Sequence, residues 1–544
     1  MRLCVGFLGC VLLAAGCAGE TGQGQRPGTS EAPTVPERGG TVVIGIVSEP
    51  DNLLDVTSTT RAAQDIIDQM FQTLTSLTPD LGDHEPDLAL SWERSDDGLS
   101  VTFHLDPNAH WHDGVPVTSD DVLFSHDLQV DPVVAYAGRP YKEFITDVRA
   151  DGPHTVTFRF GHVYPYQIFD ASVGAVLPKH LLADLPRDQL VSSEFARNPV
   201  GSGPFRFRRW VPNQTVELVA NDAFPGGRPY LDRVVFQIVP EKTSLLAQLE
   251  TGAIDVMEDV PPFDVERLAS SRTIRIERFL DRTYTYVGWN SKNPLFASAR
   301  VRRALGMAID RQSIIDALCY GFARPCLGPI HPILWAYDDT LEPLPFDPDS
   351  ARAILAEEGW ADHDGDGVLD RDGVPFSFEL KTNLGNQVRM DAAVMVQSQL
   401  EKIGVEVEPR NYEWTVLWDS VIKHEYETAV MVGWSVSLKV DLKPIFHTES
   451  LGEKFNHTGY SNPRVDELID RASALATFDE AMPLWAEVQR EIVADQPYTF
   501  LFILDKIFGV NERVRGTVPD ARSYYLHLRN WWIPRDQQRR RAEP

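Results

Sequence analysis

A chain of 544 residues, 43% of them hydrophobic and 24% charged, has ordinary globular composition and room for two to four domains. Its 51 basic and 79 acidic residues leave a net charge of −28, which repels phosphate backbones and argues against nucleic acid as a partner. The only basic cluster, in the tail at 536–544, reads as a solvated end.

In chain order, the first element is "MRLCVGFLGCVLLAAGCAGE", one Arg followed by an apolar run too short to span a bilayer. It reads as an export signal over 1–16. "LLAAGC" resembles the lipobox of bacterial lipoproteins, in which the cysteine is lipidated and becomes the mature N-terminus; Ala14 stands where that pattern commonly has Leu. The resemblance implies lipid on Cys17. Residues 17–37, rich in Gly, Pro, Ser and Thr and without apolar periodicity, read as a flexible tether. The mature chain then keeps Cys319 and Cys326. Six intervening residues, including Gly321 and Pro325, let the two close a small loop, and in an oxidising compartment they form a plausible disulfide worth about 2–3 kcal/mol in the chain-entropy view. Two reduced, buried thiols are the alternative.

From Gly40 onward, short strand patterns alternate with amphipathic helices. "TVVIGIV" (41–47) predicts a strand, and the spacing of Ala63, Ile66, Ile67, Met70 and Leu74 predicts a helix over 60–77. A hairpin turns at Ser95–Gly98, a helix capped at Thr118 or Ser119 runs to Leu128, and a second hairpin turns at Asp151-Gly152. Three strands follow Val200, and Gly201, Gly203 and Pro204 shape a backbone crossing. "SARVRRALGMAIDRQSIIDALCYG" predicts one long helix with Gly321 as its C-cap, and "DQPYTFLFILDKIFGVN" a strand. Between them lies "ADHDGDGVLDRDG", in which Asp362, Asp364 and Asp366 alternate before Gly367, with Asp370 beyond. That is the first half of an EF-hand calcium loop, and those four carboxylates with the Val368 carbonyl are candidate ligands for a structural calcium ion. The twelfth position is Gly373 rather than Glu, and the strand-like "VPFSFELKT" follows, so a sensor is not expected. A metal-free Asp/Gly turn is the alternative.

Five blocks in one order resemble the extracytoplasmic solute-binding proteins, family 5, of ABC importers. They are residues 89–128 with Trp92, Asp97-Gly98, Phe103 and "WHDGVPVTSDDVLFS", then "NPVGSGPFRF", "LETGAIDVM", "VGWNSKNPLFASARVRRALGMAIDR" and "GYSNPRVDELIDRA". The resemblance covers roughly residues 40–535. It implies an α/β fold: a two-lobed periplasmic-binding-protein clamp (type II, cluster C) with an extra small α+β domain. Lobe I is then expected at 38–76, 198–285 and 500–535, the extra domain at 77–197 and lobe II at 286–499. Hinges would lie at 284–290 and 496–501, and ligand would be trapped by closure.

No GxxxxGK loop, HExxH helix or GxSxG elbow is present, so no catalytic residue is assigned and an enzyme is not expected. His110 and His112 could be half a metal site, but no acid or cysteine pairs with them. A secreted hydrolase with a dispersed triad, or a lipoprotein sensor or adhesin on the same clamp, are the other classes. In peptide-binding members of the family, an Asp three residues after the Trp of a "GW" segment holds the peptide's α-ammonium. That position is Ser437 in "GWSVSLKVDLKP". A hydroxyl cannot replace the charge, although Asp441 lies four residues on. Candidate ligand contacts are Trp434, Ser435, Ser437, Trp289, Asn290, Trp414 and Asp441. The expected ligand is a peptide-like or other polar solute recognised without its amino terminus. Expected partners are the permease subunits of an ABC transporter and a membrane reached through the lipid anchor. The protein is expected to be an extracytoplasmic monomer that requires no cofactor.

Overall fold

The computed structural model describes residues 35–538. The export signal, Cys17, most of the tether and the end of the basic tail lie outside the described residues. No helix among those described is long and apolar enough to cross a membrane.

One mixed sheet of eleven strands organises the molecule. Its two long members, Ile274–Trp289 and Tyr498–Asn511, pair antiparallel along their length. The first half of Ile274–Trp289 sits where Val256–Met257 also joins Tyr498–Asn511, beside the parallel pair Thr41–Ile46 and Arg233–Ile238. The second half pairs on its other edge with Ala429–Ser435, and the sheet continues through Ser377–Asn383 and Glu406–Tyr412. The two strands therefore carry the backbone from one half of the protein to the other. Their register breaks in between: Leu280 faces Asp505 and Tyr284 faces Ile503, so 281–283 bulge out of the ladder. A separate four-stranded antiparallel sheet, Ala89–Arg94, Ser100–Leu105, Thr155–Phe160 and Ile145–Gly152, packs against the helix Ser119–Val130.

Sequence and structure differ at two helices. The helix predicted over 60–77 is Arg61–Met70, and Thr75–Leu77 is a strand. It ends because the Met70 carbonyl accepts the Gly203 N–H at 2.7 Å, while the Asp87 carboxylate takes the Thr73 N–H and the Gln72 amide. The single helix expected after Ser298 is two, Ala299–Met307 and Arg311–Leu318, because Asp310 turns its carboxylate onto the Ser313 N–H and starts a new N-terminus. The glycines at 201 and 203 are needed by the crossing itself: a Cβ at Gly201 would lie 1.9 Å from the Met70 carbonyl oxygen.

His112 fastens the same crossing. Its Nδ1 accepts the Gly201 N–H at 3.1 Å and its Nε2 donates to the Gly203 carbonyl at 3.0 Å, and burial pushes its pKa down to about 4. His110 instead sits exposed on the rim, bonded to the Asn108 carbonyl. The two histidines share no site.

The expected disulfide is corrected: Cys319 and Cys326 are both buried free thiols. Cys319 follows the helix Arg311–Leu318 and packs into one core cluster with Ile314, Ile315 and Phe502. The strand Ala323–Pro325 pairs with Tyr498–Asn511 and carries Cys326 into a different cluster, where its Sγ faces the Gly328 carbonyl at 3.4 Å. Burial pushes the thiols up to about 11 and about 12, so neither is a thiolate at neutral pH.

Candidate functional site

The bulge at 281–283 opens onto a chamber of about 210 Å³. It is walled by Arg61 and Asp65 from the helix Arg61–Met70, by Ser435 at the end of Ala429–Ser435, and by Ser523, Tyr524 and Tyr525. A second space of about 350 Å³ shares Arg282 and Ser523 with it and adds Asp68, Tyr141, Arg522 and Ser437. The two spaces adjoin at these shared walls and together make up the inner chamber.

Most of its charges are matched. Arg61 pairs with Asp65 at 2.9 Å, and Lys506 pairs with Glu258 and Asp259 at 3.0 Å each. Arg522 is held bidentate by Asp520, whose pKa falls under that cation and the hydrogen bonds it donates. Three groups lining it, Asp68, Asp281 and Arg282, have no ion-pair partner among the described residues, and burial raises the Asp281 carboxyl. Asp68 is reached by solvent through the chamber yet ringed by protein; it receives only the Gln64 amide at 2.7 Å, and desolvation with neighbouring Asp65 pushes its pKa up to about 7. Arg282 has no carboxylate within ion-pair distance among the described residues, and burial with the nearby Arg61 lowers its pKa.

The chamber is shut on one side by contacts across the seam. Ser437 Oγ and Tyr141 Oη lie 3.0 Å apart. Tyr166 Oη accepts the Val440 N–H at 2.8 Å and the Trp335 indole N–H at 2.9 Å, and its ring meets Phe478. Lys439 Nζ reaches the buried Asp170 carboxylate at 3.0 Å, which also accepts Tyr164 Oη at 2.8 Å. Beyond these contacts lies an outer cavity of about 590 Å³, lined by Glu143, Phe144, Tyr164, Asp441, Lys443 and Phe455 among others.

The residues expected from the sequence to touch ligand separate. Ser435 and Ser437 line the inner chamber. Asp441 lines the outer cavity, its Oδ1 accepting the Lys443 N–H at 3.2 Å, and burial raises its pKa. Trp434 stands edge-on behind Phe455. Trp289 is 0% exposed, wedged against Phe296 and Phe378 with its indole N–H on Thr499, and lines none of these cavities. The Asn290 amide holds the Tyr426 and Glu427 carbonyls. Trp414 is 42% exposed and stacked on Trp418, also away from these cavities. Asp65, Asp68, Arg282 and Tyr525 were not anticipated. A signal for them exists: the polar triplet Asp281-Arg282-Thr283 lies in the middle of a long strand, between the apolar Phe279-Leu280 and the buried run from Tyr284, and Asp65 and Asp68 sit three apart on one side of a short amphipathic helix.

In the Asp-rich loop, one oxygen each of Asp362, Asp364 and Asp366 fall within 4.8 Å of one another, all exposed. Those carboxylates already accept backbone N–H groups, Asp362 those of Gly365 and Gly367, Asp364 that of Asp366, and Asp366 that of Val368. Asp370 is not part of the group; it is turned to the His363 backbone and ring. Its inclusion as a ligand is therefore corrected.

Two halves joined by a pair of long strands, with a polar chamber on the seam between them, define a two-lobed solute-binding clamp of mixed α/β fold. Residues 83–448 match the bacterial extracellular solute-binding proteins, family 5 (middle region), and the chain belongs to that family. The chain is similar to the oligopeptide-binding protein AppA of Bacillus subtilis, 34% identical over 506 residues and 92% of each chain. It is also similar to the heme-binding protein A of Haemophilus influenzae, 27% identical over 512 residues, 87% of this chain and 88% of that one. The solved structure of Bacillus subtilis AppA in complex with a nonapeptide superimposes with a TM-score of 0.75 at 33% identity, covering 92% of this chain and all of that one.

Proposed function

We propose that this chain is the solute-capturing component of an ABC-type importer, held outside the cytoplasm by lipid on Cys17. It closes its lobes on a peptide-like or other polar organic solute and delivers it, as a monomer and without chemical change, to the permease subunits. The carrying observation is the inner chamber: its walls come from both sides of the crossing strands, and its polar groups include a carboxylate and a guanidinium without counter-ions. Relatives of this chain are named for oligopeptides and for heme, so kinship alone leaves the solute open. A small chamber rimmed by charges and hydroxyls favours a peptide-like solute over a large apolar ring. Lobe I at 38–76, 198–285 and 500–535, the extra domain at 77–197, lobe II at 286–499 and hinges at 284–290 and 496–501 complete the reading, with the pairing irregularity at 281–283 beside the first hinge. The Asp-rich loop would serve as an accessory calcium clamp through Asp362, Asp364 and Asp366 with the Val368 carbonyl, and coincident melting curves with and without millimolar calcium would remove that role.

The test is a thermal-shift panel of matched free and N-acetylated short peptides, since a ligand bound only by the folded state raises its melting temperature. Ser437 in place of a carboxylate predicts equal stabilisation by both. Stabilisation that vanishes on acetylation would place the ammonium on a carboxylate, Asp68 of the inner chamber or Asp441 of the outer cavity, and refute this part of the reading. No shift with any peptide would remove peptides as the solute class.

A further inference from the structure

Arg282 holds an unusual position. It lies in the middle of a sixteen-residue strand at the centre of the protein, in the one stretch where that strand leaves the ladder with its neighbour. It lines both halves of the inner chamber, and its carbonyl accepts the Val436 N–H, which ties it to the segment 435–437 of the opposite wall. Every other cation around the chamber has a carboxylate: Arg61 has Asp65, Lys506 has Glu258 and Asp259, and Arg522 has Asp520. The adjacent Asp281 is not within ion-pair distance of Arg282, and its own carboxyl is raised by burial. A half-buried guanidinium left unpaired is costly unless something supplies the negative charge.

A second observation points the same way. Tyr525 lines the same chamber, is 1% exposed, and its hydroxyl has no hydrogen-bond partner. Its pKa is raised well above the ordinary value by burial and by the nearby carboxylates Glu258 and Asp65, so it presents an O–H donor and not a phenolate. Ser435 and Thr283 add hydroxyls to the same wall. A fork of guanidinium N–H donors flanked by free hydroxyl donors is the complement of a carboxylate.

We propose that Arg282 is the specificity-determining anchor for a carboxylate of the captured solute, assisted by the Tyr525 hydroxyl. The inference rests on the solute-binding reading above and adds the charge class: the solute is recognised by its anionic end, not by its ammonium. The carboxylate can come from a peptide C-terminus or from an acidic side chain.

Isothermal titration of the full mature chain with three sets of N-acetylated tripeptides separates these sources: free acids without acidic side chains, the same peptides as C-terminal amides, and amides carrying one Glu. Free acids are expected to bind about 10- to 100-fold tighter than plain amides, the range that one charge-assisted hydrogen-bonded contact supplies. Arg282→Gln is expected to abolish that preference, Arg282→Lys to keep part of it, and Tyr525→Phe to reduce it. If the Glu-containing amides match the acids, the side chain is an accepted source; if they match the plain amides, the C-terminus is the source. Without peptide, Arg282→Gln is expected to melt no lower than the wild type, because it removes an unpaired charge. Equal binding of acids and amides, or a preference that survives in Arg282→Gln, would overturn the inference and leave the peptide-binding reading standing. Failure of all three sets to bind would overturn both.

Discussion

Tyr286 and Arg282 lie four residues apart on one strand, and their surroundings are opposites. Around His457, three buried phenols and an imidazole satisfy one another: Tyr286 and Tyr498 hydroxyls lie 2.9 Å from Nε2, and the Tyr426 hydroxyl lies 2.9 Å from Nδ1. Burial keeps that imidazole neutral, with its pKa down at about 3. Around Arg282 the guanidinium, the Tyr525 hydroxyl and Asp68 lack counterparts of equal strength. Buried polar groups in a finished core find partners, so an unmatched set beside a cavity marks where a ligand completes the account. The difference separates the polar residues that hold the fold from those that hold the solute.

The closed cluster gives the largest expected effect. His457→Leu takes the imidazole away from three buried hydroxyls, of which Tyr426 keeps the backbone carbonyl of residue 457 and Tyr286 and Tyr498 keep each other, and should cost on the order of 3 kcal/mol in denaturant unfolding. A loss below about 1 kcal/mol would mean that the cluster is not the structural unit described. Next comes the seam. Lys439→Met leaves the Asp170 carboxylate with Tyr164 as its remaining side-chain partner, and should cost about 1.5–3 kcal/mol, the range for a charged hydrogen bond. Because the contact crosses the seam, small-angle scattering should also show a larger radius of gyration; an unchanged radius would mean that Lys439 does not hold the lobes together.

The chamber is expected to respond to pH instead. Asp65 is raised to about 6 and Asp68 to about 7 in the fold, against 3.8 for an ordinary Asp. Between pH 4 and about 7 the folded protein therefore keeps protons that the unfolded chain has released, so this contribution to stability falls as pH rises through that window and is flat above it. Asp68→Asn removes one of the two groups, so its stability relative to wild type should improve from pH 5 to pH 8. A constant difference would place Asp68 in ordinary solvent. The smallest effect belongs to a residue outside both regions: Trp414→Ala should change stability by less than about 1 kcal/mol and leave peptide binding unchanged, checked by melting and titration.

Much of the fold was legible because its periodicities are local. The alternation of Phe376, Phe378 and Leu380 does mark a buried strand, Ser377–Asn383, and the strand expected near the end is Tyr498–Asn511. The helix boundaries that failed, after Met70 and at Ala308, were set by partners distant in sequence or by a single Asp cap, which a hydrophobic period does not record. The site was less legible for the same reason. Ser435 and Ser437 could be reached because a family motif pointed to their segment. Arg282 and Asp68 meet only because the helix Arg61–Met70 and the bulge of a strand two hundred residues later share one chamber. Tryptophan was a poor guide: Trp289 answers to Phe296, Phe378 and Thr499, which is core packing.

Hydrogen exchange of the full mature chain, with and without saturating N-acetylated tripeptide acids, tests the central claim most directly. Added protection is expected to concentrate on the walls of the inner chamber, in Arg61–Met70, 279–283, 435–438 and 521–525, with residues from both sides of the crossing strands protected together. Protection confined to one side of the crossing strands, or to the exposed face around Trp414 and Trp418, would contradict capture between the lobes.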